Sequence, residues 1–465
     1  MQSLSIAGMI LAAGKGTRMK SDLPKGLHRI CGIPMVEHVA RAMKAAGVQR
    51  PIIIIGHGGE LIQEALGDGY DYAWQHEQLG TGHAALMAKE LLADHHGPVI
   101  VAAGDTPLLQ PTIFAELFEA HNSAGAAMTL SSSILPDPSG YGRIIRDSEG
   151  KPTRIVEHKD ASEAERAVNE INVALYCFDC ETLFRILPTL SNSNAQGEYY
   201  LPDVLEVIQK EGGVLAAKVY EDQDVTVGVN DRWQLALAEN ELRTRILQRH
   251  AVSGVTLRNI DSISIDVDVT IGGDAVIEPG TILTGKTSIG SGCQIGPYSR
   301  IHNSVIGDGS AVVSSYVDSA IVGQNAAIGP FAHLRPRANI GDQAKVGNFV
   351  EIKNAQIHEG AKVSHLSYIG DATVHEAANI GAGTITCNYD GFNKHRTEIG
   401  ENAFVGSHST LVAPVKIGAR AIIAAGSVIT HDVPDDAAAF GRARQETKEG
   451  WADRWRKIKK AAGKQ

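Results

Sequence analysis

Over the first 230 residues, short apolar runs alternate with amphipathic stretches. Ile6–Leu11, Pro51–Ile55, Pro98–Ala102 and Ala126–Leu130 have the continuity of strands buried on both faces. Between them Pro34–Ala46, Glu60–Leu66 and Gly82–Leu92 read as helices. This alternation predicts an α/β domain, a Rossmann-like and mostly parallel sheet. Asp231–His250 predicts one connecting helix, with Leu235, Leu237, Leu242, Ile246 and Leu247 as its apolar stripe.

Past Val252 the period changes to six. Aliphatic residues recur at Ile271, Ile277, Leu283, Ile289, Ile295 and Ile301, and after a slip at Ile328, Leu334, Ile340, Val346 and Ile352. The repeat returns at Ile399, Val405, Leu411, Ile417 and Ile423, often with Gly next in line. A helix makes contacts at three and four, so this spacing excludes it. It fits a parallel β-helix, in which each short strand buries one aliphatic residue before a small residue turns the corner. Three strands per coil advance the chain by ~4.8 Å, the spacing of paired strands. The polar insertion Thr386–Glu398 breaks the hexads and predicts a projecting loop. The expected division is 1–230, a linker helix 231–251, the hexad domain 252–445 and a basic tail 446–465 carrying Trp451 and Trp455.

Composition narrows the classes. Of 465 residues, 43% are hydrophobic and the net charge is −10, which excludes wholesale disorder and disfavours nucleic acid as a partner. Any anionic ligand therefore needs a local basic site. No run of eighteen apolar residues occurs, so no integral membrane contact is expected. The apolar opening that ends at Ala13 lacks a preceding basic segment and runs into Gly14-Lys-Gly-Thr-Arg18, which predicts a buried strand feeding a loop. Five cysteines fit reduced thiols in the cytoplasm. Cys177-Phe-Asp-Cys180 has redox or zinc spacing without a second pair, so two buried thiols on a strand are expected.

Leu11-Ala-Ala-Gly-Lys-Gly-Thr-Arg-Met19 ends a strand in small residues, which lets backbone N–H groups approach a phosphate chain. Lys15, Arg18 and Lys25 add positive charge. Lys15 precedes Gly16, so this is no Walker A loop, and the third Gly of a dinucleotide fingerprint is absent. Gln75–Gly82 is a polar loop opening a helix, suited to reading a base. Asp105 follows the Pro98–Ala103 run, at the strand end where open α/β sheets bind ligands and where a carboxylate can hold Mg²⁺.

Leu11–Met19, Pro24-Lys25, Gln78–Gly82, Gly104-Asp105, Gly140–Arg143, Val156–Lys159, Asn194–Tyr200 and Val229-Asn230 resemble the sugar-1-phosphate nucleotidyltransferases. With the hexads, His365–Asp371, Asn379–Gly391 and Val405–Ser407, nearly the whole chain up to Gly450 resembles one bacterial family. That family is the bifunctional N-acetylglucosamine-1-phosphate uridylyltransferase/glucosamine-1-phosphate acetyltransferases. The resemblance implies a left-handed β-helix and a homotrimer with acetyltransferase sites between subunits. It implies two reactions, which supply a cell-wall precursor. Acetyl-CoA acetylates glucosamine 1-phosphate, and N-acetylglucosamine 1-phosphate then attacks the α-phosphorus of UTP, giving UDP-N-acetylglucosamine and pyrophosphate.

Carried over by position, Leu11, Ala12, Ala13, Gly14, Lys25, Gln75, Gly80 and Thr81 contact the nucleotide. Gly140, Glu157 and Asn172 line the sugar pocket, while Asp105 and Asn230 hold Mg²⁺. In the second half His365 is the general base, a role that suits imidazole, whose unperturbed pKa is ~6.5. Glu351 orients or polarises it. Arg335, Lys353, Tyr368 and Asn379 take the amino-sugar phosphate, and Ala382, Asn388, Tyr389, Ser407, Ala425 and Arg442 take acetyl-CoA. Three departures stand out: Ala103 where relatives commonly have Tyr, Arg337 for Gly and Asn354 for Lys. Two rival readings remain: a nucleotidyltransferase with a purely structural or regulatory β-helix, and a non-catalytic assembly protein that keeps both folds.

Overall fold

The computed structural model describes residues 6–221 and 228–463. It divides into two compact units, Met1–Ile246 and Leu247–Gln465. The first is built on a nine-stranded sheet. From one edge its strands run Leu215–Tyr220, Met128–Ile134, Glu170–Asp179, Pro98–Ala103, Ala7–Leu11, Ile52–Ile55 and Asp71–Trp74. Every pairing along this path is parallel except those of Glu170–Asp179, which is antiparallel to both neighbours. The ribbon Arg143–Arg146/Pro152–Val156 leaves the sheet beside it.

Alternate residues explain the unbroken apolar runs. Met9, Ile52, Ile54, Val99 and Val101 face one core, whereas Ile10, Ile53, Ile55, Ile100 and Ala102 face the other. The helices Met35–Ala45, Gly59–Leu66 and Pro111–Ala124 account for the amphipathic stretches. The expected helix Gly82–Leu92 is regular only over Thr81–Leu86. Met87, Ala88 and Lys89 then bond three residues back instead of four, which tightens the chain into turns.

The helix Arg232–Val252 forms as expected, but its stripe differs. Leu235 and Leu237 are two positions apart, which places them on nearly opposite sides of a helix. Leu237 is 53% exposed, whereas Ile246 and Leu247 are buried as expected and Ala238 joins them. Cys177 lies in a strand, as expected, whereas Cys180 opens the helix Cys180–Ile186. Both are free and buried, and burial raises both thiols, Cys180 to about 11, so neither is a thiolate near neutrality.

The second unit stacks short parallel strands into three sheets of eleven, ten and nine strands, consistent with a left-handed parallel β-helix. The hexad aliphatics form its interior: Ile277, Leu283, Ile295, Ile301, Leu334, Ile340, Val346, Ile352, Ile399, Val405, Leu411 and Ile417 are fully buried. The slip in phase is a change of coil length. Leu283 pairs with Ile301, but Ile301 pairs with Val317, so that coil is two residues shorter. The insertion leaves the solenoid between the strands Ile385–Cys387 and Thr397–Ile399.

One corner column is unusual. Tyr298, Phe331, Phe349 and Leu366 all take left-handed backbone conformations, with φ of 53°, 59°, 57° and 50°. Such a conformation costs a side-chain-bearing residue ~1–2 kcal/mol. Their side chains are nevertheless 57–74% exposed, and the Phe331 and Phe349 rings stack at 5.4 Å. Finally, Trp451–Ala462 is an exposed helix.

Candidate active sites

In the first unit, the loops after the strands Ala7–Leu11, Asp71–Trp74 and Pro98–Ala103 open onto a cleft of about 520 Å³. Leu11, Ala12, Ala13, Gly14, Lys25, Gln75, Gly80, Thr81, Asp105, Glu157, Asn172 and Asn230 all line it. Gly140 is not among the lining residues; it sits at a turn with φ 85° and open space around it.

Backbone bonds set the phosphate loop. Ala12 N–H donates to Ile54, and Gly104 N–H donates to Leu11. Gly16 has φ 59°, and a Cβ there would lie 2.6 Å from the Lys25 Cβ, so only glycine lets the loop close on Lys25. The Lys25 ammonium donates to Asp105 Oδ2 and, at 2.9 Å, to Asn230 Oδ1. Arg18 also reaches Asn230 Oδ1, at 2.8 Å. A bond from Val229 N–H to the Asp105 carbonyl holds the two segments together. Asn230 Nδ2 donates to the Gly228 carbonyl, which leaves its oxygen facing the ammonium. Two hard oxygen donors thus converge on one cation, a donor set that suits Mg²⁺.

Gln75 is 3% exposed, and its Nε2 is held by the Gly80 carbonyl and His83 Nδ1 at 3.0 and 3.1 Å. The Leu79–Thr81 turn is pinned to the opposite wall through Tyr199 and Leu201. Deeper in, Asn172 exchanges bonds with the Tyr176 hydroxyl at 2.6 and 3.0 Å. Burial, with Asp160 and Asp203 nearby, raises the Glu157 carboxyl above its ordinary value. Between Asn172 and Tyr176 the strand bulges, which puts Ala174 at φ 58° in the cleft wall. The sequence reading missed Ala174, because its signal is the bulge.

In the second unit, register organises the site. Val346, Val363, Ile380, Val405 and Ile423 pair in succession, so the residues two positions beyond them form a column along the solenoid. That column is Asn348, His365, Ala382, Ser407 and Ala425. Asn348 Oδ1 lies 2.5 Å from His365 Nδ1. Glu351, expected to orient or polarise His365, has a different partner here. It sits on the next sheet, where its carboxylate accepts from Arg335 at 2.7 Å. The residue in register with the imidazole is Asn348.

Around the corner from His365, a cationic group gathers. Lys394, with Arg335, holds the Lys353 ammonium below its ordinary pKa, so three positive charges share one patch. Asp371 accepts from Asn354 and Asn388. Burial works against its ionisation, but these two bonds and the charges of Lys394 and Lys353 hold it below the ordinary carboxylate value. Tyr368 reaches Asn388. A Cβ on Gly370 would fall 2.3 Å from the Tyr368 hydroxyl, so Gly370 leaves the ring its place. Lys394, Asp371, Gly370 and Asn348 were missed. Asp371 ends the segment His365–Asp371 and Lys394 lies in the insertion, but only the fold reveals their neighbours.

The insertion is ordered internally. Asp390 accepts from the N–H groups of Asn393 and Phe392 and from His395, which hold its carboxyl down at about 2. Tyr389 bridges Lys394 through the backbone and is exposed. Asn379 lies on the strand ladder of Lys362, on the sheet that carries His365. Arg442 closes the far end of the column, 4.0 Å from a Cβ placed on Gly426. The departures Arg337 and Asn354 both occupy left-handed corners, and Asn354 uses its amide on Asp371.

Comparisons with known proteins agree on both halves. The model of the MobA-like NTP transferase domain matches residues 8–148. The six-repeat bacterial transferase hexapeptide model matches 396–431, and the GMPPB C-terminal domain model matches 263–338. A bifunctional protein GlmU from Exiguobacterium sp. is 52% identical over 446 residues, covering 96% of this chain and 99% of the relative. Its counterpart in Caldanaerobacter subterraneus is 52% identical over 448 residues, 96% and 98% of the two chains. One from Listeria monocytogenes is 49% identical over 444, covering 96% and 97%.

Proposed function

The chain belongs to the bifunctional GlmU family, and from that premise we propose how its two halves work as uridylyltransferase and acetyltransferase. The acetyltransferase makes N-acetylglucosamine 1-phosphate from glucosamine 1-phosphate and acetyl-CoA. The uridylyltransferase couples that product to UTP, giving UDP-N-acetylglucosamine and pyrophosphate. The observation that supports this reading is the convergence of charged and polar groups in each unit, one around Lys25–Asp105–Asn230 and one around His365.

In the first unit the reaction needs alignment and charge neutralisation more than covalent chemistry. Backbone N–H groups at Ala13 and Gly14 face the triphosphate with Leu11 and Ala12 lining the cleft beside it, Gln75 with Gly80 and Thr81 reads the base, and Glu157 and Asn172 orient the sugar. Asp105 and Asn230 are the oxygens that would hold Mg²⁺, which supplies positive charge for the phosphates when bound. With those oxygens so engaged, the Lys25 ammonium turns to the triphosphate.

In the second unit Arg335, Lys353 and Lys394 bind the sugar phosphate, with Tyr368 and Asn379 beside it. Asn348 holds His365 Nδ1, and Nε2 takes the proton that the substrate ammonium must lose before attacking the thioester. Acetyl-CoA lies along Ala382, Ser407 and Ala425, with Asn388, Tyr389 and Arg442 at its flanks. The Tyr298–Leu366 corner adjoins the His365 column, because Phe349 and Leu366 directly follow Asn348 and His365. Exposed aromatic residues in costly backbone conformations there support a homotrimer closed about this edge. The test is a two-channel assay on one preparation: thiol release with glucosamine 1-phosphate and pyrophosphate release with UTP. Absence of the first would leave the β-helix a scaffold, and absence of both would favour the assembly protein.

A further inference from the structure

We propose that His358, His375 and Glu376 form a Zn²⁺ site on the outside of the β-helix, bracing two coils below the projecting loop. His358 and His375 each follow an in-register strand residue, since Ile357 pairs with Val374. The histidines are therefore held one coil apart by backbone bonds, His358 N–H to Val374 and His375 N–H to Ile399. Their rings stack at 5.0 Å with planes 13° apart.

Both Nδ1 atoms face the same carboxylate. His358 Nδ1 lies 3.3 Å from Glu376 Oε1, and His375 Nδ1 lies 3.7 Å from Oε2. One donor atom from each of the three residues falls within 4.8 Å of the others. Donors on a tetrahedral Zn²⁺ with bonds of ~2.0–2.1 Å stand ~3.3 Å apart, so the stacked imidazoles unstack on binding and turn their Nδ1 lone pairs toward one point beside the Glu376 carboxylate.

The outer shell fits as well. His375 Nε2 faces Glu398 Oε1 at 3.5 Å, and a carboxylate on that nitrogen favours its protonation, which leaves the Nδ1 lone pair for a metal. Glu398 also takes Lys416 at 3.3 Å, which draws the nearby ammonium away from the histidines. Two imidazoles with one carboxylate select Zn²⁺ over Mg²⁺, and the fourth position is left for water. Glu398 stands at the end of the loop that carries Asn388, Tyr389 and Lys394, so the brace ties that loop's exit to the coil beneath it.

Titration calorimetry of the full chain with ZnCl₂ in excess Mg²⁺ tests this. The wild type is expected to take up one Zn²⁺ per chain at these residues, with micromolar or tighter affinity. His358→Gln with His375→Gln weakens that uptake at least ~100-fold, and Glu376→Gln weakens it by about ten-fold or more. Cobalt substitution gives a second readout: visible d–d bands in the wild type that the double variant lacks while its circular dichroism is unchanged. Equal uptake and equal bands in wild type and double variant, or no uptake by the wild type at ~100 µM Zn²⁺, would overturn the site.

Discussion

Asn348 Oδ1 and His365 Nδ1 meet at 2.5 Å across adjacent coils, so the imidazole is oriented by the β-helix register itself. Asn348→Ala removes that bond while keeping the ring in place. One side-chain hydrogen bond contributes ~1 kcal/mol, so acetyl transfer should slow by about five- to ten-fold in kcat. His365→Ala should cost ~10²–10⁴. Thiol release measures both, and pyrophosphate release should not change. An Asn348→Ala enzyme with wild-type kcat would remove Asn348 from the mechanism.

Asp105→Asn should lower pyrophosphate release by ~10² or more, since it removes a charge from the set that positions the triphosphate. Chelation by EDTA should have the same selectivity, abolishing pyrophosphate release and sparing thiol release. Loss of both activities in folded Asp105→Asn would contradict two independent centres.

Ala174 carries a methyl group in a left-handed conformation at the cleft wall. Ala174→Gly should relieve that conformation and stabilise the first unit by up to about 1 kcal/mol. Thermal unfolding reads the gain directly; a lower midpoint would show that the methyl contact outweighs the backbone cost.

Burial, helped by Glu206 and Asp160, raises the Asp203 carboxyl to about 6. Between about pH 4 and pH 6 the native state therefore keeps a proton that the unfolded chain has released. Its contribution lowers stability as pH rises through that window, and the loss persists above it. Asp203→Asn keeps a residue suited to the end of the helix Val204–Lys210 and lacks the charge. Its melting midpoint should match wild type near pH 4 and exceed it at pH 7. A difference constant across that range would rule out Asp203 titration as the cause.

Phe331→Glu with Phe349→Glu places two carboxylates on the aromatic corner. Light scattering should show the proposed homotrimer fall to single chains, with acetyl transfer lost and uridylyl transfer retained. An unchanged mass would move the interface to another edge.

The legible parts of this chain are those with a period. Hexad aliphatics such as Leu334 and Val346 are buried along the solenoid, and the runs around Ile10 and Ile53 are continuous because the sheet is covered on both faces. The phosphate loop could be read because small residues after a strand have few other uses. Asn348 could not be read as the partner of His365, since that relation is a register between coils and the coil lengths vary. Lys394 was hidden for a similar reason: its distance from Lys353 is set by how the insertion folds back. Leu237 falls outside the stripe because two positions carry it about 200° around the helix from Leu235.

The column from His365 through Ala382 and Ser407 to Ala425 rises one coil at a time. Its steps are set by main-chain pairing at ~4.8 Å, so the solenoid acts as a ruler with one graduation per coil. Three graduations, roughly 14 Å, separate the His365 position from that of Ala425. Excising one whole coil between them would shorten the ruler without unfolding it, and would leave a thioester carrier one step too long for its track.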